Sequence, residues 1–99
     1  MKENDLNFIN NEFLRQFEHE TIDGKISIEY QDQGRKLFLT KLNNPDQVKL
    51  EVVEAFLAEV LESYRDTRIK LMPTSTEIAK FFKKHRQKYK DLLPPGINI

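Results

Sequence analysis

The chain has 99 residues, 38% of them apolar and 32% charged, with sixteen basic and sixteen acidic side chains that cancel. That length supports one domain with one core, and a balanced charge gives no overall field to draw it to nucleic acid or membrane. With no cysteine there is no disulfide, thiolate metal site or cysteine nucleophile, and no apolar run has the length of a signal core or membrane span. A soluble cytoplasmic protein is expected.

Residues 1–12 are polar and asparagine-rich, and read as a flexible lead-in in which Leu6, Phe8 and Ile9 pack loosely at most. From Arg15 to Thr40 the pattern is that of strands. The stretch "TIDGKI" puts Asp23-Gly24 between two runs, a two-residue hairpin signal because glycine takes positive φ without strain. Ile26, Ile28 and Tyr30 then alternate with Ser27, Glu29 and Gln31, the period of a half-buried strand. After the turn "QDQG", the run "RKLFLTKL" is apolar on both sides and predicts a central strand covered on two faces.

At Pro45 the period changes. Val53, Phe56, Leu57, Val60, Leu61 and Tyr64 recur at steps of three and four, the apolar stripe of a helix of about five turns. Asp46 is the candidate cap of that helix. "IKLMP" follows as a short strand, and strand–helix–strand implies a right-handed crossover with parallel pairing. Thr74 and Glu77 have capping-box spacing ahead of a second helix, whose inner side holds Ile78, Phe81, Phe82, His85 and Tyr89. Leu92 and Leu93 are the last anchors before a Pro-Gly tail over 94–99. The predicted domain spans 13–93. Its fold class is α/β (α+β), with three antiparallel strands, then helix, strand and helix, the helices covering a mixed sheet.

Three quoted pieces carry a family resemblance: "DGKISIEYQDQGRKLFLT", the helix from Pro45 through "IKLMP", and "FFKKHRQKYKDLL". Over roughly 17–93 the chain resembles the short, single-domain branch of the GNAT acetyltransferase superfamily, whose members carry G-x-x-x-I-x-Y, a strand ending in L-T, and a closing Y-x-x-[KR]-H-P-E-Y-x-D-L. The resemblance implies N-acetyltransferase activity with acetyl-CoA as cofactor and an amine as substrate. It places the cofactor-binding positions at Leu39, Lys41, Val48, Lys49, Leu50, Glu51 and Val52, and implies that the diphosphate sits on a glycine turn, R-G-x-G, at the start of the main helix. Here that turn reads Val48-Lys49-Leu50-Glu51. Two side chains replace the bare backbone on which a diphosphate would sit, and Glu51 adds a like charge beside it. Weakened or lost acetyl-CoA use is therefore expected, with the cleft empty or filled by side chains such as Leu42 and Leu50.

The family's H-T-E-V-P is Lys41-Leu42-Asn43-Asn44-Pro45, and the position of its reactive cysteine is Ser75. As catalytic candidates Ser75 and His85 come from that carry-over. The residues themselves read Ser75 as a helix cap and His85 as a packed histidine on the inner helix face. His19 has no ligand partner at sensible spacing, so no metal site is expected. The stripe "KFFKKHRQKYK" sets six cations among aromatics, a pattern shared by nucleic-acid binders. Its aromatics fall on the inward face and its lysines outward, so a solvated helix face explains it, and nucleic acid is not expected. The alternative function is a non-catalytic interaction module whose basic helix meets an acidic protein partner. Glu51, Glu54, Glu59, Glu62 and Asp66 offer such a surface within this chain, so the expected state is a monomer or a weak homodimer.

Overall fold

A computed structural model describes residues 8–97. The fold is α+β: a mixed five-stranded sheet in sequential order with three α-helices. The strands are β1 (Ile9–Asn11), β2 (Gln16–Thr21), β3 (Gly24–Gln33), β4 (Lys36–Asn43) and β5 (Lys70–Pro73). The helices are α1 (Leu50–Glu62), α2 (Thr76–Lys84) and α3 (Arg86–Tyr89), followed by a 3-10 turn, Lys90–Leu92. The first four strands pair antiparallel, and β4 and β5 pair in parallel across α1.

Part of the expected lead-in is structured. Ile9–Asn11 pairs with Gln16–Glu18 as an edge strand, and Phe8 packs edge-on against Phe17 and Phe56. Residues 1–7 lie outside the described residues. A three-residue polar strand has too little periodicity to show in the sequence; the sheet edge and the aromatic cluster beside it give it its partners.

The β2–β3 turn also differs from expectation by one position. Thr21 pairs with Gly24, so the loop is Ile22-Asp23, stabilised by the Thr21 hydroxyl donating to the Gly24 carbonyl (2.7 Å) and accepting from the Asp23 N–H (3.1 Å). Gly24 opens β3 at φ 141° with Asp46 packed directly against it. Asp46 is thus no helix cap: its Oδ2 accepts the Lys25 N–H (3.1 Å) and ties the segment before α1 to the first hairpin.

One face of the sheet carries Phe17, Ile26, Ile28, Leu37, Leu39 and Leu71, all buried. Onto it α1 lays Phe56, stacked on His19, and Tyr64 beyond its end meets Phe17. Each such large side chain removed from water contributes about 1.5–3 kcal/mol. The helix covers 13 residues, fewer than the five turns expected, and ends before Tyr64, the last residue of the stripe; Ser63 at its end donates its hydroxyl to the Val60 carbonyl (2.6 Å). The stripe is wide enough to bury both Phe56 and Val60 and, beside them, Leu57 and Leu61. Helices α1 and α2 meet side by side, joined by the Lys84–Glu54 ion pair (3.0 Å).

The opposite face is not covered by helices, contrary to the two-sided reading of β4. Lys36, Lys41 and Gln31 are exposed, and Phe38 and Met72 only half-buried. Polar side chains bond there among themselves: Asn43 donates to Glu29 (2.8 Å) and Ser27 (3.2 Å), while Asn11 and Gln16 donate to Glu18. The Gln16 hydrogen bond, helped by Asn11 and Lys25, holds the Glu18 carboxyl below the usual carboxylate range. An antiparallel sheet tolerates one wet face, so a run of apolar residues in β4 needs only one covered side.

Among the described residues no helix is long and apolar enough to cross a membrane.

Candidate functional site

The site grows out of a β-bulge. Between Glu29↔Lys41 and Tyr30↔Leu39 the β3–β4 register shifts, leaving Thr40 as the extra residue, with its hydroxyl donating to the Glu29 carbonyl (3.1 Å). Strict alternation would put Leu39 and Leu42 on opposite faces; the additional residue brings both to the helix side. The β4–β5 pairing stops at Leu39↔Pro73. The Leu39 carbonyl there takes the N–H groups of Thr74 and Ser75 (both 3.0 Å) and the Thr74 hydroxyl (3.2 Å), which turns the chain out of the sheet into α2. From that point β4 runs on to Asn43 without a parallel neighbour.

The space so opened is a groove of about 260 Å³ between α1 and α2, walled chiefly by Leu42, Leu50, Val53, Leu57 and Phe81. Lys80 and the Glu54–Lys84 ion pair stand at its rim. Leu42 and Leu50 are part of its lining.

The turn that leads into α1 is closed by one side chain. Asn44 accepts the Val48 N–H through Oδ1 (2.8 Å) and donates Nδ2 to the Val48 carbonyl (3.0 Å), and Gln47 N–H bonds the Asn44 carbonyl (3.2 Å) at a left-handed Gln47, φ 55°. Val48 is pulled into the core. The helix then starts at Lys49 without a side-chain cap, and the Lys49 carbonyl accepts from Val52 and Val53.

The positions carried over for a cofactor do not converge. Leu50 lines the groove; Lys49 and Glu51 are exposed on the first turn of α1, and Val52 is half-buried. Leu39 and Val48 are core residues. Lys41 lies opposite Glu29 on the uncovered face of the sheet.

Ser75 and His85 do not converge either. Ser75, rather than Thr74, is the N-cap of α2: it is buried, its Oγ accepts the Ile78 N–H (3.4 Å) and donates to Glu77 (3.2 Å). His85 ends α2 at φ −118°, ψ 40°, with its ring against Phe81 (4.7 Å between centroids) and Tyr89 (6.2 Å), and divides the expected single helix into α2 and α3. Ten residues of mostly helical chain separate the two, about 15 Å at the rise of an α-helix, so His85 cannot act as base for Ser75. Ser75→Ala is expected to lower stability by about 1 kcal/mol, the worth of an N-cap, as read by urea unfolding.

The basic stripe is partly used within the molecule. Lys84 pairs with Glu54, Lys88 lies over the Tyr89 ring at 5.5 Å, and Arg65 lies over the same ring at 5.8 Å. Arg65 also bonds Glu62 (2.9 Å), Asp91 (3.0 Å) and the Lys88 carbonyl (3.0 Å). The Arg65 hydrogen bond keeps the Glu62 carboxyl below the usual range, and the same contacts push the guanidinium up. Two of the acids set aside for pairing between molecules, Glu54 and Glu62, thus serve the folded chain itself. Among the described residues no group of three His, Asp or Glu is placed to hold a metal.

Sequence reasoning missed the Asn44 clamp and the helix pair that walls the groove. The Asn-Pro dipeptide was the available signal for the clamp, being a common turn initiator. Nothing local signals the wall, because Phe81 and Lys84 reach α1 only through tertiary packing. No protein-family model matches the chain, and a search of curated proteins finds no match.

Proposed function

We propose that this chain is a small GNAT-type N-acetyltransferase-like protein in which acetyl-CoA use is weakened or lost. The observation that carries the reading is the closed turn before α1. A diphosphate at a helix start is held by free backbone N–H groups. Here the Val48 N–H is already taken by Asn44 Oδ1, the next side chain is Lys49 instead of hydrogen, and Glu51 stands in the first helical turn. The bulge at Thr40 and the end of the β4–β5 pairing at Leu39 support a strand splay of the kind the resemblance implies, but the turn before α1 offers no anchor for the charged end of a thioester arm. Direct transfer to an amine needs positioning and oxyanion donors rather than a nucleophile, so the buried, capping Ser75 is no obstacle; the missing anchor is.

Titration with acetyl-CoA, followed by the amide signals of residues 39–53, tests this. Shifts that fail to saturate at millimolar cofactor are expected. Glu51→Gly, which removes the like charge and leaves Lys49 in place, is expected to tighten the response by about fivefold, since removing a like charge next to a phosphate releases roughly 1 kcal/mol even at high dielectric. Saturation at micromolar acetyl-CoA in the natural sequence overturns the reading.

A second reading is a non-catalytic interaction module. The apolar groove with Lys80 at its rim favours it, as does the exposure of Lys83 and Lys90 beyond. An acidic segment with a bulky apolar residue is the matching partner chemistry.

A further inference from the structure

At the other end of the sheet from the start of α1 lies a cavity of about 420 Å³, formed where the β1–β2 turn, the β3–β4 turn and the segment between α1 and β5 meet. We propose that it is a binding site for a small zwitterion of the free α-amino-acid class, an assignment independent of the groove and of any acyl transfer.

The volume falls in the lower part of the range of small-ligand pockets, about 300–1,000 Å³. Its walls carry two acids, Glu12 and Asp32, and two bases, Arg15 and Lys36. Arg15 and Asp32 form a long, exposed ion pair, Nε to Oδ1 3.9 Å with both side chains about two-thirds exposed (63% and 65%), which leaves the guanidinium's other N–H groups and the second carboxylate oxygen for a ligand. Glu12 and Lys36 have no ion pair among the described residues. A lone cation bound here would face Arg15 and Lys36, and a lone anion would face Glu12 and Asp32. A ligand with an ammonium and a carboxylate satisfies both pairs at once.

The remaining walls suit the rest of such a molecule. Tyr30, nearly buried, donates its hydroxyl to Asn10 Oδ1 (2.6 Å), leaving the Asn10 amide N–H groups to face a carboxylate. The Tyr64 hydroxyl makes no hydrogen bond among the described residues and can both donate and accept. Burial raises the pKa of both phenols, with Glu12 and Asp32 adding to the shift and Asn10 and Arg15 opposing it at Tyr30, so both hydroxyls stay protonated. Leu37 and Ile69 provide an apolar wall for a side chain, and Gly34 leaves its corner open, with no atom within 4 Å of where a Cβ would stand. Arg15 is held in place from its backbone: it sits at φ 55°, uncommon for a residue with a side chain, with its carbonyl accepting the Tyr30 N–H at 2.9 Å.

L-Leucine is the probe, with 3-methylbutylamine and 4-methylpentanoate as its one-ended counterparts, each followed by the amide signals of Glu12, Arg15, Tyr30, Asp32 and Lys36. Saturable shifts confined to this end of the sheet are expected for leucine, with each counterpart roughly two- to fivefold weaker, the effect of losing one partly exposed charge contact. Asp32→Asn and Lys36→Gln, both at exposed positions and checked for an unchanged amide spectrum, are each expected to weaken leucine by a similar factor. The proposal is overturned by no saturation up to the solubility limit of leucine, by one-ended ligands binding as tightly as leucine, or by both variants binding like the natural protein.

Discussion

Phe17→Ala is expected to lower the free energy of unfolding by about 3–5 kcal/mol, the loss seen when a fully buried aromatic is truncated and its site cannot collapse. Phe17 is 1% exposed and lies among three rings: Tyr30 at 4.7 Å, Phe8 at 5.7 Å and Tyr64 at 6.1 Å between centroids. These rings come from β3, from the residue before β1 and from the segment after α1, so one truncation loosens three junctions. A domain of this size commonly has about 5–15 kcal/mol in all, so the variant should lose a large share of its stability. Urea unfolding reads the effect as a lower midpoint at unchanged slope. Phe13→Ala is the control: at 93% exposure in the adjacent turn, it should change stability by no more than about 0.5 kcal/mol. A loss below about 1 kcal/mol for Phe17→Ala would show that the aromatic cluster is not the structural centre described above.

Gly24→Ala is expected to cost about 2–6 kcal/mol, for two separate reasons. At φ 141° a side chain is strained, by about 1–3 kcal/mol. The added Cβ would also overlap the Asp46 side chain, and relief of such crowding costs about 1–3 kcal/mol more. Pairing it with Asp46→Gly separates the two. That change alone removes the hydrogen bond to the Lys25 N–H, about 1 kcal/mol, but it also vacates the space that the new methyl group at position 24 would need. The double variant should therefore lose at least about 1 kcal/mol less than the sum of the single ones. Strict additivity would mean that the backbone angle alone accounts for the glycine.

The same two positions mark how far local signals reach. Thr21-Ile22-Asp23-Gly24 announces a turn, and a turn is there. Which two residues form its tip was decided elsewhere, by Asp46 arriving against Gly24 from twenty-two positions along the chain. Asp46 illustrates this from the other side. An acid just after a proline and ahead of an apolar stripe looks like a helix cap, yet the Asn44 clamp delays the helix to Leu50, and Asp46 is left to bond the first hairpin. In the second helix the local reading of Ser75 as a cap agrees with its hydrogen bond to Ile78, because an N-cap is decided within one turn.

The candidate sites divide along similar lines. That Leu42 and Leu50 are apolar was legible in the sequence; that they share a groove with Phe81 of the second helix was not. Nor was the bulge at Thr40, which puts Leu42 on the same side as Leu39, since an extra residue in one strand exists only relative to its neighbour. The cavity around Tyr30 and Tyr64 has no sequence signature at all. Its charges come from positions 12 and 15 in the β1–β2 turn and from 32 and 36 at the strand ends flanking the β3–β4 turn, which the antiparallel pairing sets side by side.

The order of elements from β2 to α2, the apolar stripe of α1 and the reading of Ser75 as a cap follow from the chain alone, because each depends on repeats of two to four residues and on hydrogen bonds within one turn. The edge strand β1, the single covered face of the sheet, the break at His85 and both concave surfaces were decided only in three dimensions. Each of these depends on groups far apart in sequence competing for the same buried space or the same backbone hydrogen-bond partners, and a local pattern holds no record of that competition.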